Sequence, residues 1–125
     1  MTEGRITVLV ENTAGGRGML AEHGLSFWIE IGSQRILFDT GQSDILLHNA
    51  QVLGIDLGTV DAIVLSHGHY DHVGGLKKVL EIVPCVPVYL HPQSLRAKYA
   101  RRETNGQQIG MEPEIAQILE RRTEE

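Results

Sequence analysis

With 125 residues, 42% of them hydrophobic and 22% charged, the chain has room for one domain spanning 1–125 with a real core, and too little for two. Its net charge of −5, with acids and bases dispersed, argues against nucleic acid as a main partner, because binding phosphates needs a concentrated basic surface. No apolar run approaches membrane-spanning length, and Met1 to Arg5 lacks a following apolar stretch with a cleavage site, so no membrane association and a cytoplasmic location are expected.

In chain order, Ile6 to Val10 is a short β-branched strand, and Asn12 to Gly24 is a glycine-rich loop carrying Gly15, Gly16 and Gly18. It matches neither a dinucleotide nor a P-loop pattern, since no suitably spaced helix follows. Leu25 to Ile31, Gly32-Ser33 and Arg35 to Phe38 read as a hairpin leading into Asp39. Ser43 or Asp44 can cap a helix running to Gly54, with Ile45, Leu46, Val52 and Leu53 as its buried face and His48 on its surface. Ala62 to Leu65 is an apolar strand, and Gly74-Gly75 permits a tight turn before Leu76, Val79, Leu80 and Val83 repeat at helical spacing up to Pro84.

The single cysteine, Cys85, cannot form an internal disulfide, and its apolar surroundings suggest an inert buried thiol. Val86 to Leu90 is a further strand, and Pro92 fits the first position of a helix through Tyr99. Arg101 to Gly110, with Asn105-Gly106, reads as a loop. Pro113 starts a last amphipathic helix whose Ile115, Ile118 and Leu119 must pack on this sheet or on a partner. The basic pairs Lys77-Lys78, Arg101-Arg102 and Arg121-Arg122 lie near acids and read as solvated helix faces.

The chemistry concentrates at the end of the Ala62–Leu65 strand, in Ser66-His67-Gly68-His69-Tyr70-Asp71-His72. In an extended segment, residues two apart point the same way, so His67 and His69 can aim their imidazoles at one ion. Consecutive side chains diverge, so Asp71 and His72 would reach a second ion or the far side of the first. Imidazole and carboxylate donors suit zinc, and also iron or manganese. One or two divalent ions are therefore the expected cofactor.

His67-x-His69-x-Asp71-His72 after an apolar strand, with Phe38-Asp39-Thr40-Gly41 upstream, resembles the metallo-β-lactamase superfamily. The resemblance implies an α/β fold, the four-layer αββα sandwich, here as an N-terminal half or a shortened version. It implies that His67 and His69 hold a first metal, that Asp71 and His72 hold a second, and that Asp39 supports the site without ligating. A narrower similarity covers Asn12, Ala21 to Ser26, Phe38 to Ser43, Asn49-Ala50, Leu53 to Ile55 and His91-Pro92. It points to the branch containing archaeal dihydropterin synthases of methanopterin biosynthesis and hydrolase-like bacterial relatives. Family members continue well beyond this length, and their later half supplies a third histidine, a bridging carboxylate and a last histidine. His91 comes too early to be that third histidine. With His23 and Tyr70 it is a candidate for substrate contact.

These residues imply a metal-dependent hydrolase acting on a small-molecule ester, amide or phosphoester, with Asp71 also orienting the nucleophile. A pterin-type transferase on the same centre is the alternative, and a non-catalytic metal-binding subunit is the third reading. Half of a sandwich would expose an apolar sheet face, so a homo-oligomer or a complementary C-terminal half is the expected partner.

Overall fold

Alternation of apolar residues along short β-branched and aromatic segments builds a sheet with two apolar sides. The computed structural model describes residues 3–95, 99–100 and 107–122. Five strands, β1 (Gly4–Val10), β2 (Ser26–Ile31), β3 (Gln34–Phe38), β4 (Ala62–Val64) and β5 (Val88–Tyr89), form one sheet in sequence order. The first two junctions are antiparallel and the last two parallel. Parallel pairing requires crossovers. Here they carry α1 (Ile45–Val52) between β3 and β4, and α2 (Tyr70–Val73) with α3 (Leu76–Ile82) between β4 and β5. A two-stranded ribbon, β6 (Tyr99–Ala100) with β7 (Gln107–Gln108), the helix α4 (Pro113–Arg122) and 3-10 turns at Leu57–Thr59 and Pro92–Leu95 complete the described elements.

Register assigns the sides. Thr7, Trp28, Leu37, Ile63 and Val88 are successive cross-strand partners, and Trp28, Leu37 and Ile63 are fully buried. They share a core with Leu46 and Ala50 of α1, Leu76, Val79 and Leu80 of α3, and Ile115 and Leu119 of α4. The buried Trp28 indole donates to Glu30 Oε1 at 3.0 Å, which removes the cost of an orphaned N–H. The opposite side carries Val8, Phe27, Phe38, Val64 and Tyr89 in one row and Ile6, Ile29, Ile36 and Ala62 in the next. This second side is apolar and open: Ile6 is 64% and Tyr89 60% exposed. One helix layer and one sheet of the expected αββα arrangement are thus present among the described residues, an α/β fold in shortened form. No helix among them is long and apolar enough to cross a membrane.

Several elements depart from the sequence expectations. Helix α1 ends as expected at Gly54, whose φ of +70° allows the Gly54 and Ile55 amides to close onto the Gln51 and Ala50 carbonyls. Its buried face, however, is Leu46, Asn49 and Ala50, and Val52 and Leu53 are 44% and 43% exposed. Asn49 is tolerated inside because its amide is saturated: Nδ2 donates to the Leu9 and Leu20 carbonyls, and Oδ1 accepts from the Leu20 amide. Cys85 is exposed, contrary to the buried thiol expected, because it sits in the turn before β5 while Val86 next to it points inward. At Pro92 the described residues form a 3-10 turn, Pro92–Leu95; residues 96–98 lie outside the described set, and Tyr99–Ala100 is strand, not helix. Of the expected loop, 101–106 lie outside the described residues, which takes in Arg101-Arg102 and Asn105-Gly106, and Gln107–Gln108 is strand. Lys77 pairs with Glu114 at 2.7 Å, joining α3 to α4, and the Arg122 guanidinium donates to the Pro84 and Val86 carbonyls beside β5.

Candidate metal centre

The centre is assembled where the parallel strands β3 and β4 end side by side. Pairing of Phe38 with Val64 brings Asp39 level with Leu65 and Ser66. The Asp39 amide donates to the Val64 carbonyl at 2.9 Å, and its own carbonyl accepts from Ser26 Oγ at 2.8 Å. Asp39 has no exposed surface and a φ of +56°, a left-handed backbone that Asp tolerates better than most residues. Its buried carboxylate accepts three hydrogen bonds. Oδ1 accepts from the Ser66 amide at 2.8 Å, and Oδ2 accepts from Ser66 Oγ at 2.5 Å and from His72 Nδ1 at 2.8 Å. A carboxylate only accepts, so the His72 ring carries a hydrogen on Nδ1, and in its neutral form the lone pair is on Nε2. That nitrogen is 3.7 Å from Asp71 Oδ2.

The remaining rings close around His67. Its centroid is 4.5 Å from that of His69 and 4.2 Å from that of His72. Burial, then the neighbouring His72 and His69 rings, hold His67 below the usual histidine pKa, while Asp39 and Asp71 pull the other way. The neutral ring is the form that ligates a metal. Ligand atoms of Asp39, His67 and His72 all lie within 4.8 Å of one another. Among the described residues this group includes Asp39 and leaves out His69 and Asp71; its imidazole and carboxylate donors are of the kind that suits a divalent ion. Asp39 already accepts three hydrogen bonds, one on Oδ1 and two on Oδ2.

Backbone contact, rather than glycine flexibility, sets the path of this loop. Gly74 and Gly75 have φ of −63° and −86°, values open to any residue, so the expected reason for two glycines there is corrected. A Cβ on Gly74 would overlap the Gln42 carbonyl oxygen, one on Gly75 the Thr40 carbonyl oxygen, and one on Gly68 the Ser94 carbonyl oxygen. Thr40 closes the packing: its amide and hydroxyl both donate to the His72 carbonyl, at 2.6 and 3.0 Å. Asp71 and His72 occupy a helical turn, α2, and not the extended segment their spacing suggested. The glycine-rich loop ends against the same structure. Glu22 accepts from the Gln42 and Ser43 amides and from Ser43 Oγ, and the Leu25 amide donates to the Asp71 carbonyl at 3.3 Å.

His67 and His72 therefore come together with Asp39, while His69 neighbours the His67 ring and Asp71 lies 3.7 Å from His72 Nε2, both outside that 4.8 Å group. Of the candidates for substrate contact, His23 joins them: its Nε2 is 3.1 Å from Asp71 Oδ2, and its side chain is 65% exposed. Tyr70 opens α2 and donates its amide to the Ile109 carbonyl, stitching the loop to the segment before α4. His91 turns back on its own chain, its Nδ1 accepting from the Gln93 amide at 3.2 Å. Two contributors were missed in the sequence. Ser66, one residue before the first histidine, bonds both Asp39 and His67 Nδ1, the latter at 2.7 Å; a hydroxyl at the strand end was its only signal. Glu22 had no local signal, because its partners, the Gln42 and Ser43 amides and the Ser43 hydroxyl, lie twenty or twenty-one residues away.

Residues 20–124 match the model of the metallo-beta-lactamase superfamily. The chain belongs to the metallo-β-lactamase superfamily. An uncharacterised protein of Methanocaldococcus jannaschii is 43% identical over 115 residues, covering 91% of this chain and 43% of that protein. The 7,8-dihydropterin-6-methyl-4-(beta-D-ribofuranosyl)-aminobenzene-5'-phosphate synthase of the same organism is 39% identical over 103 residues, covering 77% of this chain and 35% of the synthase. The crystal structure of a metal-dependent hydrolase of the beta-lactamase superfamily superposes with a TM-score of 0.66 at 34% identity, covering 91% of this chain and 39% of that one. This metallo-β-lactamase-like chain thus spans about two fifths of the length of such relatives.

Proposed function

We propose that the chain carries the metal-binding half of a metal-dependent hydrolase, with His67 and His69 holding one divalent ion and Asp71 and His72 a second. The observation that carries this reading is the buried Asp39 carboxylate, which orients His72 so that Nε2 is left for an ion while two further imidazoles crowd beside it. A divalent ion, zinc, iron or manganese, would supply Lewis acidity, making water acidic enough to serve as a nucleophile near neutral pH. Beside it, Asp71 would orient the attacking water, and His23, next to the Asp71 carboxylate and largely exposed, would meet an ester, amide or phosphoester substrate at the rim. Elemental analysis of dialysed protein should find bound metal in the wild type, and loss of the first ion in His67→Ala/His69→Ala; unchanged content in the double variant rejects the ligand set. A panel of phosphodiester, lactone and β-lactam substrates then reads the bond cleaved.

The similarity to the dihydropterin synthase supports a second reading, a transferase on the same centre. Affinity for a pterin with no hydrolysis across the panel would favour it.

The open apolar side of the sheet supports a partner, either a second copy or a complementary C-terminal half that adds the remaining ligands. Static light scattering of the chain alone should report a dimer or larger species, and a well-folded monomer at high concentration would count against self-association.

A further inference from the structure

Asp39 and His67 touch the same hydroxyl but not each other. Ser66 Oγ lies 2.5 Å from Asp39 Oδ2 and 2.7 Å from His67 Nδ1, and its position is fixed from behind by the Ser66 amide, which donates to Asp39 Oδ1 at 2.8 Å. We propose that Ser66 is a positioning residue that relays the buried Asp39 carboxylate to His67 and thereby sets that ring's tautomer. The argument is a count of hydrogens. A hydroxyl has one, and an acceptor-only carboxylate oxygen at 2.5 Å claims it. The contact between Ser66 Oγ and His67 Nδ1 can then be a hydrogen bond only if the ring supplies the hydrogen. His67 is therefore the Nδ1–H tautomer, with its free lone pair on Nε2. The reverse arrangement, with the hydroxyl donating to His67, would leave two oxygens facing each other across 2.5 Å without a hydrogen between them. Asp39 Oδ2 imposes the same tautomer on His72 directly at 2.8 Å, so one oxygen atom orients both rings, whose centroids are 4.2 Å apart.

Without the hydroxyl, His67 Nδ1 loses this acceptor, and the ring reverts to the Nε2–H form that free histidine prefers, which places a hydrogen where a ligand lone pair is required. The consequence for metal binding rests on the proposed function above; the tautomer itself does not. The test therefore has two separate arms. Long-range 1H–15N spectra of the full, metal-free chain at pH 8 report which ring nitrogen of His67 is protonated. Nδ1–H is expected in the wild type and in Ser66→Thr, and Nε2–H in Ser66→Ala. Nε2–H in the wild type, or Nδ1–H retained in Ser66→Ala, overturns the proposal. Cobalt titration followed by absorbance should then show Ser66→Ala weakened about 10–100-fold, the usual effect of removing a partner of a ligating histidine, with Ser66→Thr near wild type. If the tautomers are as expected but the wild type takes up no metal, the relay stands and the metal-dependent function fails.

Discussion

Asp39→Asn keeps the size and shape of the side chain and changes only what its second oxygen position can do. In the wild type that position receives two donors, Ser66 Oγ–H and His72 Nδ1–H, while Oδ1 receives the Ser66 amide. An amide group has one acceptor atom and one donor atom. If its oxygen faces the Ser66 amide, its NH2 meets His72 Nδ1–H head on; if it flips, the NH2 meets the Ser66 N–H instead. One donor–donor collision is unavoidable, and the simplest escape is for His72 to move its hydrogen to Nε2. A hydrogen bond to a charged group is worth about 1.5–3 kcal/mol, so the cost to the metal-ready ring is about 2 kcal/mol, or about 30-fold in affinity at about 1.4 kcal/mol per decade. Competition against a fluorescent zinc chelator measures this, with thermal unfolding as the check that the variant is folded. Affinity within about twofold of the wild type, in a folded Asp39→Asn, would show that the carboxylate does not orient His72, and the account of the centre would fail at its root.

Asn49→Ala removes three hydrogen bonds from a fully buried side chain, and at about 1 kcal/mol each should cost about 3 kcal/mol in urea unfolding; a loss below about 1 kcal/mol would show that the glycine-rich loop is not held there. Gly74→Ala at a helical φ would ordinarily stabilise by about 0.4–1 kcal/mol, yet the contact with the Gln42 carbonyl predicts destabilisation of about 2 kcal/mol instead, so the sign of the change in midpoint decides. Because His67 titrates below its unfolded value, the unfolded chain binds more protons as pH falls through about 6.5. The metal-free protein should lose stability from pH 7 downward, and His67→Gln should flatten that slope in melting curves; a rise in stability on acidification would refute the assignment.

Hairpins and helix ends were readable from sequence because single residues decide them: Gly32-Ser33 turns β2 into β3, and Gly54 stops α1. The histidine and aspartate cluster was equally plain, since its members lie within six positions. What stayed hidden depends on contacts distant in sequence. Asn49 displaces Val52 and Leu53 from the interior only because carbonyls of Leu9 and Leu20 wait there, and periodicity ranks an amide as polar whatever surrounds it. The helical turn at Asp71-His72 is too short to show a period of 3.6 residues. Asp39 came from family likeness alone; its alignment beside Ser66 requires the parallel register of β3 with β4, which no local pattern encodes.

Three glycines of the ligand loop press directly on the carbonyls of Ser94, Gln42 and Thr40. Those positions admit no side chain, so the track on which the imidazoles and carboxylate ride is frozen, whereas the three imidazoles are only partly enclosed. Mutation can therefore exchange donors and alter chemistry along this loop far more freely than it can reroute the loop, which makes the stretch from 66 to 75 a fixed mount with replaceable fittings.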